Sequence, residues 1–452
     1  MITPVAIDSS KRVEDCEEFW HSCVKLRDLR DVCRCAHSSA DGVLNILISR
    51  ILSMVPPNYT LPNFIANSNA SLNFYGAIIA KPGGGKSNAF RMAKNIIPDS
   101  PNVFYCSSPA SGESLPAMFA YRKFTDDECK SSIVQCSHWS AYIQIKEVSK
   151  LVANISRQSS NLLGNMLDFW DGDSSGGDYT KNENIRISVP ANGFRLVSTV
   201  AIQDDNLDMI TRYGGSGLPQ RILFARVQDA NIRDRSDGTT PIPRYKNPFN
   251  EANTPDMSVF NELYACGCIE ALPKADSYKL KQFTFPDYIE REIIDLVDSR
   301  LEGNSEDDEG SHDPEILLKT ATALHLYLDL DKGGTLLEVS PRACELARWL
   351  VKCSNQIRKE TLKQVNETRK VKREWEKLLS QQQNNLIEER KKAIIDELKN
   401  RKDGCSKRFL QRIGSNQAFS SIPFNQAIDN LINERKIIEV QQQGKKILKL
   451  IK

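Results

Sequence analysis

The chain has 452 residues, is 40% hydrophobic and 26% charged, and carries a net charge of +2. That length accommodates two to four domains, and that composition is ordinary for a soluble globular protein, which excludes collagen-like and low-complexity chains. No apolar run approaches the roughly 20 residues that a membrane helix needs, since Ile46-Leu47-Ile48-Ser49 is cut at once by Arg50, and Met1 to Lys11 lacks the apolar core of a signal peptide. The expected location is cytoplasmic, with no membrane contact.

The charge is unevenly spread. Residues 351–452 hold 24 Lys and Arg against 12 Asp and Glu, leaving 36 against 46 in the remainder. An acidic body with a basic C-terminal quarter fits a tail that faces a polyanion; a solvated helix with alternating signs, as in Lys372-Arg373-Glu374-Trp375-Glu376-Lys377, accounts for the same imbalance. The 12 cysteines include no Cys-x-x-Cys pair. Cys16, His21, Cys23, Cys33, Cys35 and His37 cluster near the N-terminus, but their spacing matches no closed four-ligand zinc pattern, and buried thiols packed in helices are expected instead.

In chain order, residues 13–55 show helical periodicity up to a Pro56-Pro57 stop, and 1–60 form an N-terminal helical region. The apolar run Phe74-Tyr75-Gly76-Ala77-Ile78-Ile79-Ala80 then predicts a strand. It leads into Ala80-Lys81-Pro82-Gly83-Gly84-Gly85-Lys86-Ser87, followed by a helix over 88–97 that Pro98 ends. Strand, glycine loop and helix is the context in which backbone N–H groups wrap a phosphate chain. Gly83, Gly84, Gly85, Lys86, Ser87 and Asn88 are the candidate nucleotide contacts, with Lys86 on the β- and γ-phosphates of ATP and Ser87 on Mg²⁺. Ala80 stands where the pattern usually opens with glycine.

Further strands are expected at 102–106, 141–145 and 195–202, and their alternation with helical segments predicts an α/β core with a mostly parallel sheet over 61–240. Hydrolysis needs an acid at the end of a neighbouring strand, and Glu147 fits, although Lys146 occupies the place where an Asp usually precedes it. Gln203, ending the last core strand, is placed to sense a γ-phosphate. Arg221, after the glycine segment Gly214-Gly215-Ser216-Gly217, is a candidate arginine finger acting across a subunit boundary, or else one side of a salt bridge. Asp171 and Asp173 read as helix-end residues. A strand at 185–189, the Pro190-Ala191-Asn192-Gly193 turn and the strand from Phe194 predict a hairpin.

Beyond a loop at 229–255, helices are expected at 288–301, 313–328 and 340–354, with a solvated acidic loop at 303–310 between the first two; 241–360 is read as connector and helical lid. Residues 361–389 are polar, helix-favouring and predict a linker helix. The final segment, 390–452, predicts helices at 390–402, 406–413 and 424–434 and strands at 437–441 and 446–451 around Gly444. Three helices closed by a hairpin describe a winged helix, with Lys407, Arg408, Lys445 and Lys446 as its DNA-facing cations.

The order of phosphate loop, Ser111-Gly112-Glu113, the strand ending in Glu147, the hairpin, the Arg195-Leu196 strand ending in Gln203, and Gly217-Leu218-Pro219-Gln220-Arg221 resembles one family. It is the helicase-like ATPase family of phages, plasmids and integrated elements, often fused to or beside a bifunctional DNA primase/polymerase. Ser311-His312 and Lys319-Thr320-Ala321 are similar to that family's lid. More distantly, the layout resembles the minichromosome-maintenance branch of AAA+ ATPases. The resemblance implies an AAA+-like core, a homo-oligomeric ring with a hexamer as the candidate size, a DNA partner and a separate primase or polymerase. It also implies a hairpin in the channel with Lys181 or Arg186 on DNA, and Lys319 in the lid touching nucleotide. The expected function is an ATP-dependent DNA helicase, translocase or remodelling motor in mobile-element replication. A non-catalytic, ATP-switched initiator or regulator is the alternative.

Overall fold

The run Phe74–Ala80 has no charged side chain and is buried at every position, as suits a central strand covered on both faces and paired along both edges. In the computed structural model it is the fourth of five parallel strands. The structure describes residues 17–62, 70–125, 132–158, 160–174, 187–211, 213–302, 311–413, 421–442 and 445–451, and the chain divides after Lys363 into two units.

The first unit opens with α1 (Glu17–His21), α2 (Val24–Cys35), α3 (Ala40–Ser53) and β1 (Tyr59–Thr60), followed by β2 (Phe74–Ala80), α4 (Lys86–Ile96) and β3 (Val103–Cys106). A hairpin of β4 (Ala120–Phe124) and β5 (Ser132–Cys136) comes next, then β6 (Ser140–Ile145), α5 (Val148–Ile155), α6 (Leu162–Asp171), β7 (Arg195–Gln203), α7 (Leu207–Thr211) and β8 (Ile222–Arg226). The remaining elements are α8 (Met257–Cys266), β9 (Lys281–Gln282), α9 (Asp287–Leu301), α10 (Asp313–Leu328) and the start of α11 (Pro341–Lys399).

The parallel sheet runs β3–β6–β7–β2–β8. The chain leaves β2 for the far edge at β3, returns through β6 and β7, and then crosses β2 to reach β8. That reversal opens a crevice at the carboxyl ends of β2 and β7, where ligands of open α/β sheets bind. Helix α3 is buried almost throughout and lies directly on β2: a Cβ at Gly76 would sit 2.6 Å from Asn45 Oδ1. Glycine there is what allows the close approach.

Arg195, the first residue of β7, is fully buried. Its guanidinium donates to the carbonyls of Val55 (3.1 Å), Pro56 (3.1 Å) and Tyr59 (2.8 Å) and to Ser71 Oγ (2.9 Å) and Asn73 Oδ1 (3.4 Å). Burial pulls its pKa down to about 9.

The second unit contains the later part of α11, then α12 (Lys407–Ile413), α13 (Ser421–Asn433) and an antiparallel ribbon of β10 (Ile437–Gln442) and β11 (Lys445–Leu450). Its core gathers Ile394, Leu398, Leu410, Phe424, Ile428, Leu431, Ile437 and Leu448, and Cys405 bridges to Leu448 beside the ribbon.

Several expectations change. The helices read at 340–354, 361–389 and 390–402 are one 59-residue helix, α11, because nothing between Pro341 and Lys399 breaks helical propensity. The region read as connector and lid, 241–360, shares one continuous core with the sheet: α10 is buried at every position from Ile316 to Leu328. The β4–β5 hairpin has no counterpart among the expected elements, since Tyr121-Arg122-Lys123-Phe124 does not alternate apolar with polar. Of the expected hairpin before Phe194, the turn is present, with Gly193 N–H donating to Pro190 C=O at 3.0 Å. Ile187 and Ser188 are not in a strand, and Lys181, Arg186 and the loops at 303–310 and Gly444 lie outside the described residues. Cys16 does too; Cys23 and Cys33 are buried free thiols as expected.

Replacing Arg195 by Met leaves several buried acceptors without a donor, which costs on the order of 3–5 kcal/mol. Urea denaturation of Arg195→Met shows this as a large drop in midpoint at an unchanged m-value. Arg195→Lys is expected to fall nearly as far, because one ammonium cannot span the acceptors that the guanidinium fork reaches.

Candidate nucleotide site

The loop after β2 turns through Gly84 N–H donating to Lys81 C=O at 2.9 Å. Gly83 and Gly85 have φ of +75° and +88°, in the left-handed region that favours glycine, and a Cβ on Gly84 would lie 2.9 Å from both Ala80 Cβ and Lys81 O. Each of the three glycines is therefore required, two by backbone conformation and one by space. Ala80 is tolerated in the usual glycine position because position 84 lacks a side chain to meet its methyl. The loop opens into the 11-residue α4, whose first turn leaves backbone N–H groups without helical partners. These features fit a phosphate chain: a concave ring of amides, a helix N-terminus and a lysine at its first position.

Lys86 Nζ donates to the carbonyls of Ala80 (3.1 Å) and Lys81 (3.3 Å). Burial lowers its pKa, and the Asp204 carboxylate opposes that shift. Ser87 is exposed beside it. Gln203 pairs in register with Ala80 across β7 and β2, which sets it beside the first residue of the loop. Asp204 follows it and lies 3.5 Å from Arg226, which ends β8 and is 3.6 Å from Glu360. Asp204 and Arg226 are not among the residues expected from the sequence, although a charged residue just past or at the end of a core strand is the same signal that singles out Glu147.

Glu147 is exposed at the N-cap of α5, beyond the end of β6. β7 lies between β6 and β2, so Glu147 stands one strand further from the loop than Gln203. The Asn88 amide is engaged elsewhere, donating to the carbonyls of Ala36 (2.8 Å) and His37 (3.2 Å) and tying α4 to the α2–α3 connection.

Arg221 and Lys319 meet at one aromatic ring. Arg221 is held by Asp171 at 3.2 Å and lies 5.3 Å from the Trp170 ring centroid. Lys319 Nζ is 3.2 Å from the same centroid. Asp171 is thus a helix-end residue with an ion-pair partner. Lys319 is only 1% exposed, which puts it out of reach of a nucleotide unless α10 moves, contrary to its expected contact. Burial pushes its pKa down to about 7, opposed by Glu315 and Asp171. In the second unit Lys407, Arg408, Lys445 and Lys446 are all exposed; Lys446 pairs with Glu439 at 2.7 Å. Among the described residues no group of His, Cys, Asp and Glu is arranged to hold a metal ion by itself, and no helix is long and apolar enough to cross a membrane.

No family model and no curated protein matches the chain. A solved structure of a candidate ATPase from Cytophaga hutchinsonii ATCC 33406 is similar at 11% identity over 73% of this chain and 84% of that one, with a TM-score of 0.30. A likeness that low decides neither fold nor activity, so the site stands on its own geometry.

The Lys319 environment makes a pH-dependent prediction. Its folded value of about 7 lies below the unfolded value of about 10.4, so between the two the folded state binds fewer protons and stability rises with pH. Lys319→Met removes the cost of the buried charge. It should raise the melting temperature at pH 6 relative to wild type by clearly more than at pH 9.5; equal shifts at both pH values would count against a buried charge.

Proposed function

We propose that the chain is an ATP hydrolase that works on DNA, as a helicase, translocase or remodelling motor in the replication of a phage, plasmid or integrated element. The observation that carries the nucleotide part is the loop from Ala80 to Ser87: three glycines each required by geometry, a lysine opening α4, and Gln203 in register with its first residue. In this reading the amides of 83–87 and the Lys86 ammonium hold the β- and γ-phosphates, and Gln203 reads the γ-phosphate. Ser87 would hold Mg²⁺, which when bound neutralises phosphate charge. Glu147 or the nearer Asp204 orients the attacking water.

The AAA+-like reading and the ring rest on the family resemblance, and Arg221 would complete the neighbouring subunit's site after exchanging Asp171 for phosphate. The second unit, with helices α12 and α13 and its ribbon, is read as a winged helix that binds DNA through its exposed cations. A primase or polymerase partner supplies synthesis.

A second reading has a specific observation behind it. Glu147 is exposed next to Lys146, and Arg221 is already paired within its own chain; both suit an ATP-switched initiator that binds without turnover.

Steady-state hydrolysis with and without single-stranded DNA separates the two. The motor predicts DNA-stimulated turnover that falls at least 100-fold in Lys86→Ala and in Arg221→Ala, with Gly84→Ala losing ATP binding. Tight binding without turnover would leave the switch. For the tail, DNA affinity should fall steeply and linearly with the logarithm of salt concentration. Removing residues 390–452 should cut both affinity and slope; unchanged values would place DNA binding elsewhere.

A further inference from the structure

A cavity of about 530 Å³ lies in the first unit, between β8 at the sheet edge, the N-terminal helices and the stretch of α11 from Trp349 to Glu360. Its volume falls in the range of small-molecule sites. Aromatic side chains line it, among them Phe19, Trp20 and Trp349, all largely buried. The charged side chains of the lining are paired with one exception. Arg30 holds Glu17 at 2.5 Å, Arg34 grips Asp229 with two hydrogen bonds of 2.7 and 3.0 Å, and Arg226 lies between Asp204 and Glu360. Asp41, in the first turn of α3, also lines the cavity and has no ion-pair partner among the described residues; its carboxylate is served by its own backbone N–H.

The geometry points to a binding site for a small organic cation: a protonated amine on an apolar body, its ammonium paired with Asp41 and its body against the indoles of Trp20 and Trp349. An unpaired acid inside an aromatic-walled cavity is the complement of such a ligand, because the ring faces and the carboxylate attract the same charge. With Asp41 ionised, as a bound cation would hold it, the lining carries one negative charge more than positive, and the surplus is Asp41. The arginines nearest Asp41, Arg30 and Arg34, do not repel the ligand as free charges, since Glu17 and Asp229 neutralise them at close range.

The electrostatics of Asp41 agree with the placement. Burial and the Asp229 carboxylate push its pKa up to about 7, while Arg30 and Arg34 pull it down. A cation seated beside it favours the ionised form, so binding near pH 6.5 expels a proton. The inference does not depend on nucleotide binding: neither Asp41 nor the indoles belong to the phosphate loop.

Calorimetry on the full chain at pH 6.5 tests it, with phenethylamine as probe and 2-phenylethanol as its neutral isostere. The amine should bind at least 10-fold more tightly than the alcohol. Its binding heat should change with the ionisation enthalpy of the buffer in the direction of proton release. Asp41→Asn should abolish both the preference and the proton release while leaving ATP affinity unchanged; Trp349→Leu should weaken the amine without restoring the alcohol. Equal affinities for amine and alcohol, or no amine binding, would overturn the proposal without use of any variant. Displacement of the amine by adenosine in Lys86→Ala protein would also overturn it, and would make the cavity a pocket for a base.

Discussion

The burial of one guanidinium organises the first unit. Arg195 sits at the start of β7 with no solvent contact, and a charge in that position persists only if its donors are met. The acceptors come from the chain after α3, at Val55, Pro56 and Tyr59, and from the approach to β2, at Ser71 and Asn73. Asn73 Oδ1 also accepts Leu196 N–H at 2.9 Å, so the same amide side chain fixes the backbone of β7. This clamp sets where β2 and β7 begin to pair. From Phe74 beside Val197 the ladder runs without interruption to Ala80 beside Gln203. A slip of one residue would turn every side chain to the opposite face and take Gln203 away from the loop. The polar mouth of the candidate site is thus positioned from the opposite end of the sheet.

The loop itself shows how tightly local sequence is tied to function. Gly83 and Gly85 are demanded by backbone dihedral angles and Gly84 by the methyl of Ala80, so the unusual alanine and the middle glycine are one arrangement. The lysine that follows rests on the two carbonyls that begin the turn, and its ammonium is lightly held and partly desolvated. Such a group gains from an arriving phosphate. Around it Asp204 and Arg226 add a carboxylate and a guanidinium that the strand ends bring together from separate parts of the chain.

Further from the loop, charge is buried around Trp170. Arg221 and Lys319 both face its ring, and Asp171 and Glu315 balance them. This cluster joins the end of α6 to α10, two elements far apart in sequence, and a change in the pairing of Arg221 would be felt by α10 through the shared ring. The N-terminal helices are as integral as the sheet: α3 touches β2 at Gly76, and the α2–α3 connection holds Asn88 at the head of α4.

Much of this was legible in the sequence. The strand at 74–80, the glycine turn, the helix behind it, the strands read at 102–106, 141–145 and 195–202 and the helix at 313–328 follow from apolar runs and turn residues, which are local properties and survive without tertiary context. Local signals failed where pairing decides the outcome. The β4–β5 hairpin has no alternation to betray it, because it is stabilised by its cross-strand partners and by α8 rather than by a buried stripe of its own. Three helices became one, since propensity locates helical residues but does not end a helix that no residue interrupts. Lys319 has the sequence context of a ligand contact and the surroundings of a core residue, and only packing distinguishes them. That a phosphate-shaped loop follows a buried strand can be read from the residues alone, because the glycine requirement is a matter of adjacent dihedral angles. Which charges stand around it depends on the assembled sheet, because Gln203, Asp204 and Arg226 reach the loop through strand register, and register is a property of all five strands together.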